Sequence, residues 1–457
     1  MNRIAGRSWI VMVLVLALLG GMIFFVIEFS GKAREWVFFS GSPHVYSGSV
    51  PEDGRVLDRS GKLILDMSGE WSYSPDVQTR RGMLHWVGDR LGNISAPILS
   101  QYTESMTGYD FVNGVYTYGE QPGTITLTLS TEIQKAALEA MGDNKGTVAV
   151  YNYKTGEILC AVTTPTFDPD AVPDIVGDTS GQYDGVYVNR FIQSVYTPGS
   201  IFKLVTAAAA LEIIPDIEEQ TFFCPGEIEV GGGTVSCEIA HGELDFAKTL
   251  VYSCNCSFAQ IAQQIGGERL QRYGDLFGIT SDISFDGIET APGNLEAGDA
   301  PLYELCWSGI GQHTDLINPC QFLSYVGAIA NGGNGAFPHL VEKVMVNGQT
   351  TYEAETAMTG HLMSADTAAI LKAMMRSCVE VKYGVEYFPD VTVCAKSGTA
   401  EMDGDVASNA LFTGFVDDPK YPLAFIVVVQ EGGYGSDACV PIVNLVLTAA
   451  MKTLDKE

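Results

Sequence analysis

The sequence predicts an α+β main domain built on a mostly antiparallel sheet, preceded by a smaller β-rich domain and a single membrane-crossing helix. Three observations predict it: one long uncharged apolar run near the start, a turn-rich stretch behind it, and then a strand pair, helices, three strands and a final helix in that order. With 457 residues there is room for two or three folded units at about 150 residues each. Apolar residues at 46% and charged residues at 18% place the chain among globular proteins and exclude a disordered or fibrous one.

The apolar run is Ser8 to Ile27, SWIVMVLVLALLGGMIFFVI, 20 residues without a charge. That is the length a helix needs to cross about 30 Å of hydrocarbon. Arg3 and Arg7 precede it and hold the short end in the cytoplasm, which sends the rest outside, although Lys32 and Arg34 pull the other way. The run exceeds the roughly 15 residues of a secretory signal and no A-x-A site follows, so an uncleaved anchor is expected over 1–35. Residues 36–144 are turn-rich, with no long helical period before Thr131 to Met141, and read as a small irregular β-rich domain. The main domain is expected over 145–457. It begins with a hairpin, TVAVY and EILCAV joined across Asn152 to Gly156. After Pro198 and Gly199, Ile201 to Leu211 is helical by composition, and its alanines at 207–210 suit a tightly packed central helix. Residues 245–265 predict two helices broken at Ser253-Cys254-Asn255. VTVCAKSGTA, ALFTGFV and PLAFIVVVQ predict three strands, and an apolar helix runs from about Val440 to Leu454.

Twenty-six basic against 55 acidic side chains leave a net charge of −29, which repels phosphates and excludes nucleic-acid binding. Ten cysteines are too few for a disulfide scaffold, and no C-x-x-C pair marks a redox or zinc motif. Cys160, Cys394 and Cys439 read as small buried hydrophobes. Cys224 and Cys237 flank the Gly-rich PGEIEVGGG, and whether they pair stays open at this point. Cys254 and Cys256 offer two thiols with no neighbouring His or further Cys in sequence, an incomplete zinc shell, so no metal ligand is expected. Asp282, Ser284, Asp286 and Gly287 resemble a calcium loop only until its twelfth position, Gly293, where a Glu is required; an ordinary turn is expected.

Chemistry enters at Ser200-Ile201-Phe202-Lys203, where a hydroxyl and an amine three residues apart share one side of a helical turn. Lys203 lies in an apolar stretch, and desolvation there favours the neutral amine that a general base requires. Ser253-Cys254-Asn255 follows 53 residues after Ser200, and Lys396-Ser397-Gly398-Thr399 another 141 residues after Asn255. The order S-x-x-K, S-x-N, K-[ST]-G is that of the penicillin-recognising serine enzymes. A second K-T-G at Lys154-Thr155-Gly156 sits upstream, in the hairpin turn, where glycine serves the backbone. The downstream copy lies in a β-rich run, as an edge strand receiving a substrate backbone would.

Over nearly its whole length the chain resembles the class B penicillin-binding proteins, monofunctional peptidoglycan D,D-transpeptidases. GRVLDRSGKLIL (54–65) resembles the motif that opens their non-catalytic domain, TITLTLSTEIQKAALEAM the link to the catalytic domain, and GTVAVYNYKTGEILCAVTTPTFDPD its first strands. SGIGQHTDLINPCQFLSYVGAIANGG is similar to the family's G-Q-G…T-P-x-Q…A-N-G-G segment, and ALFTGFVDDPKYPLAFIVVVQEGGYGS is most similar to the short-pedestal PbpA-like branch. His313 stands where the family usually has Gly, Asn318-Pro319 replaces Thr-Pro, and the pedestal of about 110 residues is short.

The resemblance implies a penicillin-binding transpeptidase fold with a five-stranded sheet, and a set of roles. Ser200 would attack the carbonyl between the terminal D-alanines of a stem peptide, with Lys203 as its base and Ser253 and Lys396 relaying a proton to the departing amine. Asn255 would hold the donor peptide. Ser397, Gly398 and Thr399, with Lys396, would form the strand that receives it and its carboxylate. The backbone N–H groups of Ser200 and Thr399 would make an oxyanion hole, each donor contributing about 3–4 kcal/mol. No cofactor is implied. Partners implied are stem peptides ending in D-Ala-D-Ala, β-lactams and a membrane glycosyltransferase of the SEDS family, with the catalytic domain outside the cell membrane. Among rival readings, a Ser-His-Asp hydrolase lacks a G-x-S-x-G elbow, and a β-lactamase has no use for the pedestal and anchor. A D,D-carboxypeptidase is set aside only by the class B pattern, and a sensor would need a cytoplasmic domain where about seven residues precede the anchor.

Overall fold

The computed structural model describes residues 2–37, 46–47, 50–51, 54–68, 71–94, 96–110, 114–117, 123–401 and 406–456. Helix α1 (Asn2–Val37) leads the chain. Its stretch from Arg7 to Ala33 is long and apolar enough to cross a membrane, and Trp9, Leu14 and Phe24 on it are exposed.

The N-terminal region runs β1 (Arg55–Leu57), β2 (Leu63–Asp66), β3 (Ser72–Tyr73), α2 (Val77–Val87), α3 (Pro97–Met106), β4 (Thr124–Leu127) and α4 (Thr131–Met141). The expectation of a β-rich stretch with no long helical period before Thr131 is corrected here: α2 and α3, of 11 and 10 residues, are both present. The face α2 buries includes Thr79, Gly82 and His85 beside Met83, Leu84, Trp86 and Val87, so the segment carries no clean apolar stripe. Its ends are set by caps. The Asp76 carboxylate accepts from Gln78 N–H, and Gly88 N–H donates to Leu84 O. Burial pushes His85 down to about 4, which keeps the ring neutral against the Val186 carbonyl, 2.8 Å away.

The later region runs β5 (Gly146–Asn152), β6 (Ile158–Thr164), a 3₁₀ turn at Gly199–Ile201, α5 (Lys203–Ile213), β7 (Thr221–Cys224), β8 (Glu227–Val230), β9 (Gly233–Ser236), β10 (Gly242–Asp245), α6 (Phe246–Val251), α7 (Asn255–Ile265), α8 (Pro319–Ala330), β11 (Val341–Val346), β12 (Gln349–Glu353), α9 (Ala365–Cys378), β13 (Val393–Ala400), β14 (Asn409–Val416), β15 (Leu423–Val429) and α10 (Gly435–Leu454). The strands β6-β5-β15-β14-β13 form one five-stranded sheet, antiparallel at every pairing. Both faces are covered, which is why β15 reads as an unbroken apolar run. Phe425, Val427 and Val429 join a core with Leu138 of α4 and Leu447 of α10, while Ala424, Ile426 and Val428 join Ala207, Phe322 and Met375 of α5, α8 and α9. α10 is apolar enough for a membrane, but its inner face is part of this core.

A six-stranded sheet, β12-β11-β4-β1-β2-β3, brings strands from either side of residue 144 together, with β11 pairing β4 antiparallel and β1 pairing β4 parallel. Asp58, in the GRVLDRSG stretch, ties this sheet to the start of α4. Its carboxylate accepts from Ser60 and Lys62 N–H and from both the N–H and hydroxyl of Thr131. Burial pushes the Asp58 carboxyl up, but those hydrogen bonds outweigh it and hold the group below the usual range. Asp286 and Gly287 form the tight turn between two short strands. The Asp286 carboxylate accepts from Tyr102 OH and from the N–H of Leu340 and Val341, so it is committed to the protein.

Candidate active site

Ser200 is held at the start of α5 by a backbone that only glycine fits. Gly199 has φ +54°, and a Cβ there would lie 2.5 Å from Thr399 O. Gly199 N–H donates to Gly311 O at 2.8 Å, so the turn is clamped between the loop at 311 and β13. One helical turn on, Lys203 points back toward the serine.

Lys203 Nζ lies 2.9 Å from Ser200 Oγ, 2.7 Å from Ser253 O, 3.1 Å from Ser253 Oγ and 2.7 Å from Asn255 Oδ1. Asn255 Nδ2 donates to Ser236 O at 2.9 Å, which fixes the amide with its oxygen toward the lysine. Ser253 carries φ +52°, a left-handed residue at the break between α6 and α7 that lets both its carbonyl and hydroxyl face one amine. The carbonyl and the amide oxygen can only accept. They take the two N–H groups of a neutral amine, and its lone pair is left for the hydroxyl of Ser200.

The second amine approaches from the sheet. Lys396 Nζ is 3.1 Å from Ser253 Oγ and 2.9 Å from Ser397 O, so Ser253 bridges the two lysines. Both lysines are 0% exposed. Burial, with the Lys396 charge second, holds Lys203 well below the usual lysine value. Burial also brings Lys396 down to about 8. Burial thus favours the neutral amine at Lys203, the form a base requires, while a Lys396 at about 8 stays mostly charged at neutral pH.

β13 is the edge of the sheet, with β14 on one side only. Ser397 N–H turns away from β14 and donates to Tyr383 OH at 2.9 Å, and by the two-residue period of a strand Thr399 N–H faces the same open edge. The Tyr383 hydroxyl also meets Ser397 Oγ at 2.8 Å. Gly398 lies so close to the serine turn that a Cβ would come 2.6 Å from Pro198 O. Thr399 Oγ1 accepts from Gly435 N–H at 3.3 Å.

All eight residues expected from the sequence, Ser200, Lys203, Ser253, Asn255, Lys396, Ser397, Gly398 and Thr399, therefore meet at one place. Tyr383 was missed. It lies in VKYGVEY, which has no motif, and only the fold brings it to β13. The two departures also find reasons: His313 takes the left-handed φ of +66° that a glycine would supply, and Asn318 caps α8 by accepting from Cys320 and Gln321 N–H, with Pro319 in the first turn.

Residues 146–448 match the penicillin-binding protein transpeptidase domain, and the chain belongs to that family. Within it, the chain is a class B penicillin-binding protein related to PbpA. It is 28% identical to peptidoglycan D,D-transpeptidase PbpA of Mycolicibacterium smegmatis over 372 residues, 72% of this chain and 73% of that one. It is 26% identical to stage V sporulation protein D of Bacillus subtilis over 419 residues, 87% of this chain and 61% of that one. Among solved structures, the D,D-transpeptidase domain of a peptidoglycan glycosyltransferase from Eggerthella lenta superposes with TM-score 0.74 at 25% identity, covering 88% of this chain and 98% of that one. The penicillin G acyl-enzyme complex of penicillin-binding protein A from Mycobacterium tuberculosis gives 0.73 at 23% identity, covering 87% and 99%, a likeness of fold.

Proposed function

We propose the following roles in this chain, a serine-type peptidoglycan D,D-transpeptidase that cross-links stem peptides through an acyl-serine intermediate and is acylated by β-lactams. The observation that carries them is the single amine of Lys203 within hydrogen-bond reach of Ser200 Oγ, Ser253 Oγ and Asn255 Oδ1 together. Ser200 Oγ attacks the carbonyl carbon of the penultimate D-Ala while its proton passes to Lys203 Nζ. The oxyanion is met by the N–H groups of Ser200 and Thr399. As it collapses the C–N bond breaks, and a proton reaches the departing D-Ala amine through Ser253 Oγ, with Lys396 behind it. The amine of a second stem peptide then attacks the ester and frees Ser200. Asn255, Ser397 and Gly398 hold the donor as an added strand on the β13 edge, and Lys396, Ser397 and Thr399 take its terminal carboxylate.

A donor peptide ending in D-Ala-D-Ala, given to the purified chain with acceptor strands, is expected to yield D-Ala in step with cross-linked product, and Ser200→Ala to yield neither. D-Ala without cross-links would instead make the chain a carboxypeptidase. We further propose that α1 anchors the chain with 145–457 outside the cell, 36–144 serving as pedestal. The exposed apolar α1 and the pedestal form the surface for a SEDS-family glycosyltransferase. Ser200→Ala should co-purify with that partner as the wild type does; loss of the complex on removing α1, but not on Ser200→Ala, is the expected pattern.

A further inference from the structure

Beside the catalytic cluster, four side chains from three segments, the end of β7, the loop between β9 and β10 and the cap of α7, converge with no role in the transpeptidase reaction. Cys224 ends β7, Cys237 follows β9, His241 precedes β10, and Cys254 caps α7 between Ser253 and Asn255. All are free thiols or imidazole, and their ligand atoms lie within 4.8 Å of one another. The Cys237 and Cys254 sulfurs are 3.7 Å apart, and Cys224 Sγ is 3.5 Å from His241 Nδ1. A tetrahedral zinc with Zn–S near 2.3 Å and Zn–N near 2.0 Å has S–S edges of about 3.8 Å and S–N edges of about 3.5 Å. These two edges match those of ligands around one cation, and the remaining ones lie within 4.8 Å. A disulfide needs its sulfurs at about 2.05 Å and would leave the imidazole and the third thiol without purpose.

We propose that Cys224, Cys237, His241 and Cys254 bind one Zn²⁺ that braces the Ser253-Cys254-Asn255 motif. Two further observations point the same way. Backbone and hydroxyl donors already face the sulfurs as they do around metal thiolates: Ser257 N–H and Oγ–H reach Cys254 Sγ at 3.4 and 3.1 Å, and Cys256 N–H reaches Cys237 Sγ at 3.3 Å. The lobe of β7 to β10 is also poor in core, with Phe222, Cys224, Val230, Val235 and Leu244 its buried residues. So small a lobe needs a staple, and a structural metal is one. This lobe supplies Ser236 O, which orients Asn255, so the cation would hold the amide that faces Lys203. Sequence counting stopped at Cys254 and Cys256 because the remaining ligands arrive from 13 to 30 residues upstream.

The test is metal analysis of the full chain purified in detergent without added chelator, with non-reduced peptide mapping of its thiols. About one equivalent of zinc is expected, retained in Ser200→Ala and in Cys256→Ser, and lost in His241→Ala and Cys224→Ser. Cobalt in place of zinc should give the visible absorption of a tetrahedral thiolate site. Chelation should slow acylation by penicillin about 10-fold or more, an effect that rests on the transpeptidase reading, whereas metal content does not. Metal-free protein with free thiols, or a disulfide among Cys224, Cys237 and Cys254, would overturn the site. Zinc present in a protein that penicillin never acylates would leave the site standing and sink the catalytic reading instead.

Discussion

The same tripeptide pattern occurs twice, and the two copies behave as different chemistry. Lys154-Thr155-Gly156 turns the chain between β5 and β6, with Lys154 exposed and the N–H groups of Lys154 and Thr155 donating to Asn152 Oδ1. Gly156 is there for its φ of +89° and because Phe337 O would lie 2.1 Å from a Cβ. Lys396-Ser397-Gly398 instead runs along an open sheet edge, its amine sealed from water and bridged through Ser253 to a second buried amine. The difference lies in burial and neighbours, since the residue types are nearly identical. A motif is a catalytic statement only where the fold desolvates it.

Substitution sharpens that contrast. The largest effect belongs to Lys203→Ala, which should slow penicillin acylation by about 10²–10⁴-fold, with Lys396→Ala inside the same range. Lys154→Ala should leave the acylation rate unchanged and stability within about 0.5 kcal/mol. Stopped-flow acylation with a fluorescent penicillin measures all three. A comparable loss at Lys154 would erase the distinction.

The pH profile separates the two buried amines. Lys203 works neutral, and its lowered pKa favours that form; acylation should fall as acid drives pH down through that value. Lys396 works charged, and acylation should fall again as pH rises through about 8. A rate that keeps rising from pH 6 to about 10, as a base with the ordinary lysine value would give while it loses its proton, would show that Lys203 is not shifted.

The glycines should fail in different ways. Gly156→Ala puts a Cβ against backbone at positive φ and should cost about 1–3 kcal/mol in denaturant melts while the folded fraction still acylates at the normal rate. Gly398→Ala pushes on Pro198 O beside the nucleophile and should lower acylation by up to about 100-fold with a smaller stability loss. Among the residues around the site the smallest effect is expected at Tyr383→Phe, which leaves Ser397 N–H without its acceptor. About 1–3 kcal/mol of local cost should appear chiefly as weaker donor binding, a higher KM at similar kcat.

Much of this is legible in the sequence. The strand pair, the helix after Gly199, the break at Ser253 and the last three strands carry local signals, and the eight motif residues follow from order and spacing. Helices α2 and α3 escaped because their buried faces mix Thr, Gly and His with apolar residues. The pairing of Val341–Val346 with Thr124–Leu127 joins segments more than 200 residues apart, and nothing in either strand names its partner. Tyr383 and His241 escaped for the same reason: each is defined by what it touches after folding.

If Ser200 is the nucleophile of this desolvated cluster, intact mass of the chain after incubation with penicillin will show it. One persistent adduct is predicted, mapping to Ser200, absent in Ser200→Ala and still formed in Lys154→Ala. An adduct that survives Ser200→Ala, or none on the wild type, would mean that Ser200 is not the nucleophile.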